Sequence, residues 1–341
     1  MGGHKKPASN GVPGTLITRY PVARERSSVI TSYSEIQQIA KRFLPSRAVR
    51  LIRQMRANLR SARLSRVPAL DENQFRAILE KDLCIAQGDM VFVHSSTDGL
   101  RLQFPAARML TMLLNLVGSE GTLLFPSYPR LGSYEFLMSG EVFDVRKTPS
   151  YMGLITEVAR RHKGAIRSFH PTKAVVAIGR YAKEVTASHQ LCHYPYDRES
   201  PYGKIRDYGA KIVGIGVSTS RLSCVHCVED EMKEDFPVCP YHDRLFAAKC
   251  IDYDGNTRIV KTFAHDMRKS NSRLNLPAFM KTHISEDICR DFEIHGMKFF
   301  KADACKLFTR MIELARTGIT IYPKCLYEKD RSSPMAHLGT V

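Results

Sequence analysis

The chain has 341 residues, of which 43% are hydrophobic and 25% are charged, and its formal net charge is +17. This length suits one large α/β domain or two smaller ones, and the composition is that of an ordinary globular protein. No stretch approaches the ~18 apolar residues of a membrane-spanning helix, and the first residues lack the apolar core of a secretory signal. Nine cysteines without such a signal predict reduced thiols in a cytoplasmic protein.

The positive charge is concentrated at the N-terminus, because residues 1–66 hold 14 Lys and Arg residues against two acids. A helix is predicted from Ser34 to about Phe43, and an Arg-rich amphipathic helix from Ser46 to about Ser65. Three roles for the second helix stay open: a solvated face, a phosphate-binding surface, or a contact with a membrane or nucleic acid. No aromatic residue interleaves with its arginines, which weakens a contact with single-stranded nucleic acid. No nucleic-acid partner is expected for the chain.

Strands and helices alternate along the rest of the chain. Apolar runs predict buried strands within 88–96, 122–126, 174–178 and 211–217, separated by helices at 71–83, 106–116, 151–162, 181–189 and 224–235. Residues 245–300 contain a predicted hairpin, and a helix over 302–317 closes the chain. We therefore predict a three-layer α/β/α fold with a mixed, partly parallel sheet and a β-hairpin-rich addition. The predicted organisation is a basic, partly helical extension over 1–70, a body over 71–330 and a tail over 331–341.

Three polar motifs follow predicted strands, where α/β proteins usually place their functional groups. The first is His94-Ser95-Ser96, whose hydroxyls suit phosphate oxygens, although an ordinary Ser/Thr turn explains it as well. The second, residues 167–171 with Ser200 further on, is weak by itself. The third, residues 223–229, places a histidine and a glutamate three residues apart on one helical face. Such a pair tunes a histidine as a proton acceptor or is a satisfied structural pair.

Cysteines around the third motif support a different chemistry. Cys224 and Cys227, followed by Cys239 and His242, have a Cys3His spacing that suits structural zinc. The alternative hypothesis is therefore a zinc-stabilised binding protein with a basic N-terminal arm and no catalysis. The predicted helix through this region favours small buried thiols instead, and we expect no metal.

Seven segments in chain order make a more specific pattern: 88–96, 118–126, 143–144, 149–157, 167–171, 200–202 and 223–229. In that order they resemble the aminoglycoside 3-N-acetyltransferase family, acetyl-CoA-dependent antibiotic acetyltransferases that do not have the GNAT fold. The resemblance covers about 72–325. It departs from the family at Ser223, where members usually have Thr, and at Ala174 after Lys173, where they usually have Ser.

The resemblance implies direct transfer of an acetyl group from acetyl-CoA to the amine of an amino sugar, either nucleotide-linked or an aminoglycoside. His226 is the expected general base, and His170 is a second candidate at the reacting centre. Glu229 is expected to orient the imidazole, stabilise its cation or hold the incoming ammonium. The residues expected along CoA are His94, Ser95, Ser96, Arg167, Ser168 and Ser200. The expected partners are acetyl-CoA and a small-molecule amine, and the sequence leaves the oligomeric state, including a homodimer, open.

The charge of the chain bears on the acceptor. A strongly basic protein would attract an anionic, nucleotide-linked sugar. A polycationic aminoglycoside would instead need carboxylates, which the acidic run after His226 could supply. That run consists of Glu229, Asp230, Glu231, Glu234 and Asp235.

Overall fold

The computed structural model describes residues 1–3 and 46–327. Helix α1 spans Ser46–Leu64, as the Arg-rich pattern predicts, whereas the helix predicted from Ser34 lies outside the described residues. On α1 the side chains of Leu51, Met55 and Leu59 are more than half exposed. The roles considered for α1, and the boundary at residue 70, stay predictions. Along the described residues, no helix combines the length and the apolar character needed to cross a membrane.

The described residues form ten strands, most of which belong to one mixed sheet. These are β1 (Met90–Ser95), β2 (Thr122–Pro126), β3 (Phe143–Asp144), β4 (Ile166–Arg167), β5 (Val175–Gly179), β6 (Lys211–Ile215), β7 (Phe246–Ile251), β8 (Thr257–Thr262), β9 (Cys289–Ile294) and β10 (Met297–Asp303). The main sheet has the order β4-β5-β2-β1-β6-β10-β9. Its middle strands β2, β1 and β6 are parallel, and the outer strands run antiparallel to their neighbours.

Helices after α1 pack mainly around this sheet. They are α2 (Glu72–Ala77, continued by a π-turn over Ile78–Asp82), α3 (Arg108–Val117), α4 (Ser133–Ser139), α5 (Leu154–Arg160), α6 (Ala182–Thr186), α7 (Pro201–Lys204), α8 (His226–Met232), α9 (Met267–Asn271), α10 (Leu276–His283) and α11 (Ala304–Arg316). The predicted helices at 151–162 and 181–189 are shorter than expected.

Two hydrophobic cores, one on each face of the sheet, confirm the three-layer prediction. On one face Phe92 and Phe300 pack with side chains of α10 and α11, and on the other Val91 and Val93 pack with α3 and α5. Neighbouring residues of β1 enter different cores because successive side chains of a strand point to opposite faces. A strand buried on both sides is apolar throughout, which is why β1, β2 and β6 read as short apolar runs.

The predicted hairpin is β7 and β8, which form a separate three-stranded sheet with β3. The later β-like stretch does not belong to that addition, because β9 and β10 extend the main sheet. The closing helix begins at Ala304 rather than 302, since Ala302 pairs with Ile212 in β6. Asp303 then caps the helix by accepting from the Lys306 N–H at 2.9 Å.

A tight crossing after β6 brings two of the polar motifs to one edge of the sheet. Gly216 has φ +74° and lies so close to the end of β1 that a Cβ there would sit 2.2 Å from the Ser96 carbonyl oxygen. Only glycine tolerates both the positive φ and this approach. The chain leaving β6 therefore enters α8 beside the end of β1, at the carboxyl ends of two parallel strands, where α/β proteins usually place their functional groups.

Candidate active site

Helix α8 begins at His226 and places Glu229 one turn later on the same face. Nδ1 of His226 lies 2.9 Å from each carboxylate oxygen of Glu229. The histidine is 7% exposed and the glutamate 3% exposed, so water screens the pair little. The structure thus brings together the two residues that their spacing places on one helical face.

Two residues from distant segments complete the surroundings of Glu229. Tyr322 donates its hydroxyl hydrogen to Oε1 at 3.0 Å. His265 Nε2 lies 3.5 Å from Oε2 without forming a hydrogen bond, and its ring packs edge-on against His226 with centroids 4.7 Å apart. Burial lowers the pKa of His265 to about 3, so its imidazole is neutral at pH 7. Sequence analysis missed both residues, because neither lies in a recognisable motif.

The second ring nitrogen of His226 contacts Arg273, another residue that the sequence did not single out. Arg273 Nη1 lies 2.7 Å from Nε2. A guanidinium only donates, so Nε2 is the acceptor and the ring proton lies on Nδ1, toward Glu229. Burial, and then the charges of Arg273 and Lys173, hold the pKa of His226 well below its usual range. The imidazole is therefore neutral, with its lone pair on Nε2 and occupied by Arg273.

A row of aromatic rings leads from His226 to Lys173. The ring of Tyr196 lies 5.1 Å from that of His226, and its hydroxyl lies 3.2 Å from the hydroxyl of Tyr128. Tyr202 also donates to the Tyr128 hydroxyl, at 2.7 Å. Lys173 Nζ lies 4.4 Å from the centre of the Tyr128 ring. Burial, and then the charge of Arg273, lower the pKa of Lys173 to about 8, which leaves its amine mostly protonated at pH 7.

His94, expected along CoA, instead anchors the loop before α8. Its Nε2 lies 2.9 Å from Ser223 Oγ and accepts from the Ser223 N–H at 3.2 Å. Burial lowers the pKa of His94 to about 3. The neighbouring Ser95 and Ser96 are half-buried at the end of β1 and remain candidates for CoA contact.

The other residues expected along CoA are buried, and they hold neighbouring segments together. Arg167 donates from its two Nη atoms to the Thr148 and Ser127 carbonyl oxygens, at 2.5 and 2.6 Å. Ser168 Oγ lies 2.8 Å from His189 Nδ1 and accepts from the Val175 N–H at 2.8 Å. Ser200 caps α7. All three are at most 3% exposed and their polar groups face the interior, an arrangement that does not favour direct contact with CoA, so that contact stays a prediction.

His170 is also placed away from proton transfer. Its Nδ1 accepts from the Lys173 N–H at 3.1 Å, and its Nε2 lies 3.1 Å from Thr262 Oγ1. The residue is fully buried and stacks on His189 with centroids 4.4 Å apart. Both ring nitrogens are thus engaged in holding the turn that carries Lys173, and a place of His170 at the reacting centre stays a prediction.

The cysteines of the zinc hypothesis do not assemble. Cys224 and Cys227 are buried, and burial raises the pKa of the Cys224 thiol. His242 stacks on Tyr134 instead, with ring centroids 4.3 Å apart. Within residues 46–327, the group of His, Cys, Asp and Glu side chains close enough to share a metal ion comprises His226, Glu229 and His265, with ligand atoms within 4.8 Å of one another. A direct hydrogen bond accounts for the 2.9 Å contact between the first two, and the nearby cation Arg273 disfavours a metal ion there.

Comparison with known proteins identifies the family. A model of aminoglycoside 3-N-acetyltransferase matches residues 92–313. The aminoglycoside N(3)-acetyltransferase IX of Micromonospora chalcea is 24% identical over 163 residues, 43% of this chain and 58% of that protein. The aminoglycoside N(3)-acetyltransferase III of Acinetobacter baumannii is 28% identical over 171 residues, 45% of this chain and 59% of that protein. The matched segments thus span less than two thirds of these relatives.

Solved structures have the same fold. Aminoglycoside acetyltransferase AAC(3)-Xa superposes with a TM-score of 0.64 at 17% identity, covering 78% of this chain and 99% of that one. The structure described as AAC-IIIb binary with CoASH superposes with a TM-score of 0.62 at 19% identity, covering 75% and 100%. The family match runs from β1 into α11 and includes His226 and Glu229. This chain therefore belongs to the aminoglycoside 3-N-acetyltransferase family.

Proposed function

We propose that this protein is an acetyl-CoA-dependent N-acetyltransferase that acylates the amine of an amino sugar, with His226 as the general base. The observation that carries the proposal is the buried hydrogen bond between His226 Nδ1 and Glu229, which directs the lone pair of the ring to Nε2. The family match supports the reaction type, and the neighbour with bound CoASH supports the co-substrate.

The chemistry needs a proton acceptor because an alkylamine is largely ammonium at neutral pH. The ammonium first loses one proton to the solvent, which gives the free amine. Nε2 of His226 then takes a second proton as the amine nitrogen forms a bond to the acetyl carbon. The carbon–sulfur bond then breaks, and the proton passes to the departing thiolate, which leaves an amide and free CoA. Glu229 stabilises the imidazolium formed in between, since a charge-assisted hydrogen bond strengthens when its donor becomes a cation. General-base help of this kind is worth about 10²- to 10⁴-fold in rate.

The acceptor is an amino sugar, either an aminoglycoside, as the names of the relatives indicate, or a nucleotide-linked sugar, as the charge of the chain favours. Ser95 and Ser96, at the carboxyl end of β1, are the remaining candidates for contact with the pantetheine of CoA. The Ser96 N–H donates to the Ile215 carbonyl oxygen at 3.0 Å, so backbone N–H groups beyond Ser96 would stabilise a developing oxyanion.

The proposal is tested by following thiol release from acetyl-CoA with a panel of acceptors: glucosamine, glucosamine 1-phosphate, a nucleotide-linked amino sugar and sisomicin. We expect His226→Ala to lose about 10²-fold or more in kcat with whichever acceptor is used. The exposed His162→Ala is the matched control and should keep wild-type turnover. Near-wild-type turnover of His226→Ala would remove His226 as the base, and no acceptor-dependent thiol release with any amine would overturn the proposed activity.

A further inference from the structure

One cation, Arg273, contacts the proposed base, and a second, Lys173, lies close enough for its charge to act on it. Arg273 donates to Nε2 of His226 at 2.7 Å and, through Nε, to the Ser270 carbonyl oxygen at 2.7 Å. Lys173 reaches the same cluster along the Tyr128 ring. Among the ion pairs of residues 46–327, none joins either cation to a carboxylate. Two positive side chains without a carboxylate partner therefore lie at the place where the acceptor amine must arrive.

The acidic run after His226 does not neutralise this charge. Asp230 is fully buried and accepts from the Tyr196 N–H at 2.7 Å and from the Tyr241 hydroxyl. Glu231 pairs with Arg206. Glu234 and Asp235 are exposed and follow the end of α8. Of the five acids, Glu229 alone contacts the histidine, so a polycationic acceptor would meet more positive than negative charge here.

Arg273 also occupies the lone pair that a base needs. Nε2 cannot accept a proton from the acceptor while the guanidinium donates to it, so turnover requires Arg273 to leave. A phosphate or carboxylate offers a guanidinium two parallel, charge-assisted hydrogen bonds, which are stronger than a single bond to a neutral imidazole. An acceptor that carries such a group close to its amine would draw Arg273 away and free the base in the same step.

We infer that Lys173 and Arg273 form an anion site beside His226, which selects amines that carry a phosphate or carboxylate next to the reacting nitrogen. The inference rests on the proposed function, because it assigns the acceptor of that same reaction. Arg273 acts as a specificity-determining residue, since it covers the base until the anionic group of the acceptor takes its guanidinium.

An anion here could also belong to CoA. The pantetheine arm, however, separates the phosphates of CoA from its thioester, whereas Arg273 touches the atom that takes the proton of the acceptor. The anion therefore belongs to the acceptor. The two sources are distinguished by the KM for acetyl-CoA, which should not change when Arg273 or Lys173 is replaced.

Binding tests the site independently of turnover. Glucosamine and glucosamine 1-phosphate form a matched pair, because the phosphate stands on the carbon next to the one that carries the amine. In calorimetric titrations with CoA present, we expect the wild type to bind the phosphorylated sugar about tenfold or more tightly than glucosamine. Arg273→Gln and Lys173→Gln should each reduce this ratio, and Arg268→Gln, whose exposed guanidinium pairs with Asp266, should not. Equal affinity for both sugars, no binding of the phosphorylated sugar, or tighter binding of sisomicin would overturn the inference.

Steady-state kinetics should show opposite effects of one substitution on the two sugars, which a merely structural role of Arg273 would not produce. Arg273→Gln should raise the KM for glucosamine 1-phosphate but increase kcat/KM for glucosamine, because the lone pair of the base is uncovered. Arg273→Lys should restore part of the preference for the phosphorylated sugar. Parallel losses with both sugars, or a changed KM for acetyl-CoA, would contradict the assignment. If no acceptor is acetylated at all, the proposed function fails, and the titrations still decide whether the anion site exists.

Discussion

Replacement of Glu229 by glutamine removes one charge while preserving shape. The amide oxygen can still accept from His226 Nδ1, and the amide N–H can donate to the Tyr322 hydroxyl, so the buried contacts are retained in altered form. What is lost is the negative charge beside the imidazolium that the proposed proton transfer would form. We therefore expect a catalytic effect with little loss of stability.

The size of that effect follows from the geometry. Two unit charges about 4 Å apart attract by about 4 kcal/mol at an effective dielectric constant of about 20, which is appropriate to a largely buried pair. The remaining neutral hydrogen bond recovers about 1 kcal/mol. The net loss of about 3 kcal/mol corresponds to a decrease of about 10²-fold in kcat for Glu229→Gln.

The assay is steady-state thiol release at saturating acetyl-CoA and acceptor, with thermal unfolding of each variant as the control for folding. We expect the KM for acetyl-CoA to stay close to the wild-type value, because the substitution lies at the acceptor side of the reaction. A kcat within about threefold of wild type, in a variant that folds normally, would refute the view that Glu229 stabilises a cationic His226.

Three further predictions follow from the described contacts. Tyr322→Phe removes the hydroxyl that donates to Glu229. Because a hydrogen bond to a charged group is worth about 1.5–3 kcal/mol, this change should lower kcat by about tenfold in the same assay. An unchanged kcat would show that this bond does not position the carboxylate. Arg167→Met leaves two buried carbonyl oxygens unpaired, so it should lower the free energy of unfolding in urea by about 3 kcal/mol. The KM for acetyl-CoA should stay the same. A raised KM with unchanged stability would instead indicate that Arg167 is a CoA ligand. Stability should also fall as the pH drops below about 6.5, because buried histidines with folded pKa values near 3 are neutral in the native state and bind protons only on unfolding. The histidines with folded pKa values near 3 should by themselves make urea titrations at about pH 7.5 and about pH 5.5 differ by about 4 kcal/mol. These histidines are His94, His189 and His265. His170 and His226, whose pKa values burial also lowers, should add to this difference, and equal stabilities would contradict the burial of these rings.

The part of the site that could be predicted from the sequence depends on residues that are close together in the chain. His226 and Glu229 are three residues apart, and helical geometry alone brings such residues to one face. The partners of this pair could not be predicted in that way. Arg273 lies 47 residues after the histidine it contacts, and Tyr322 lies 93 residues after the glutamate, so both contacts depend on how α9 and the segment after α11 pack.

The types of residue near the strand ends did not show which of their side chains are buried. An arginine and two serines near strand ends are typical of phosphate-binding sites, but the sequence does not tell whether such a side chain faces the crevice or the interior. Arg167 faces carbonyl oxygens inside the fold, and Ser168 contacts another buried side chain. The hairpin of β7 and β8 was recognisable because its turn and its alternation of apolar and polar residues are local features of the sequence. The pairing of β10 with β6 joins segments more than 80 residues apart, so no local sequence pattern predicts it.

The hydrogen bond between Tyr322 and Glu229 has a consequence for biosynthesis. During translation the parallel strands and α8 emerge well before β10, which pairs with β6, and before Tyr322. A chain interrupted between α11 and Tyr322 would contain every strand of the main sheet yet lack the hydroxyl that holds the carboxylate. Proteolytic loss of the segment after α11 would have the same result. The full rate of the proposed reaction thus depends on a segment that is made after the framework of the fold and that is remote in sequence from the helix that carries His226.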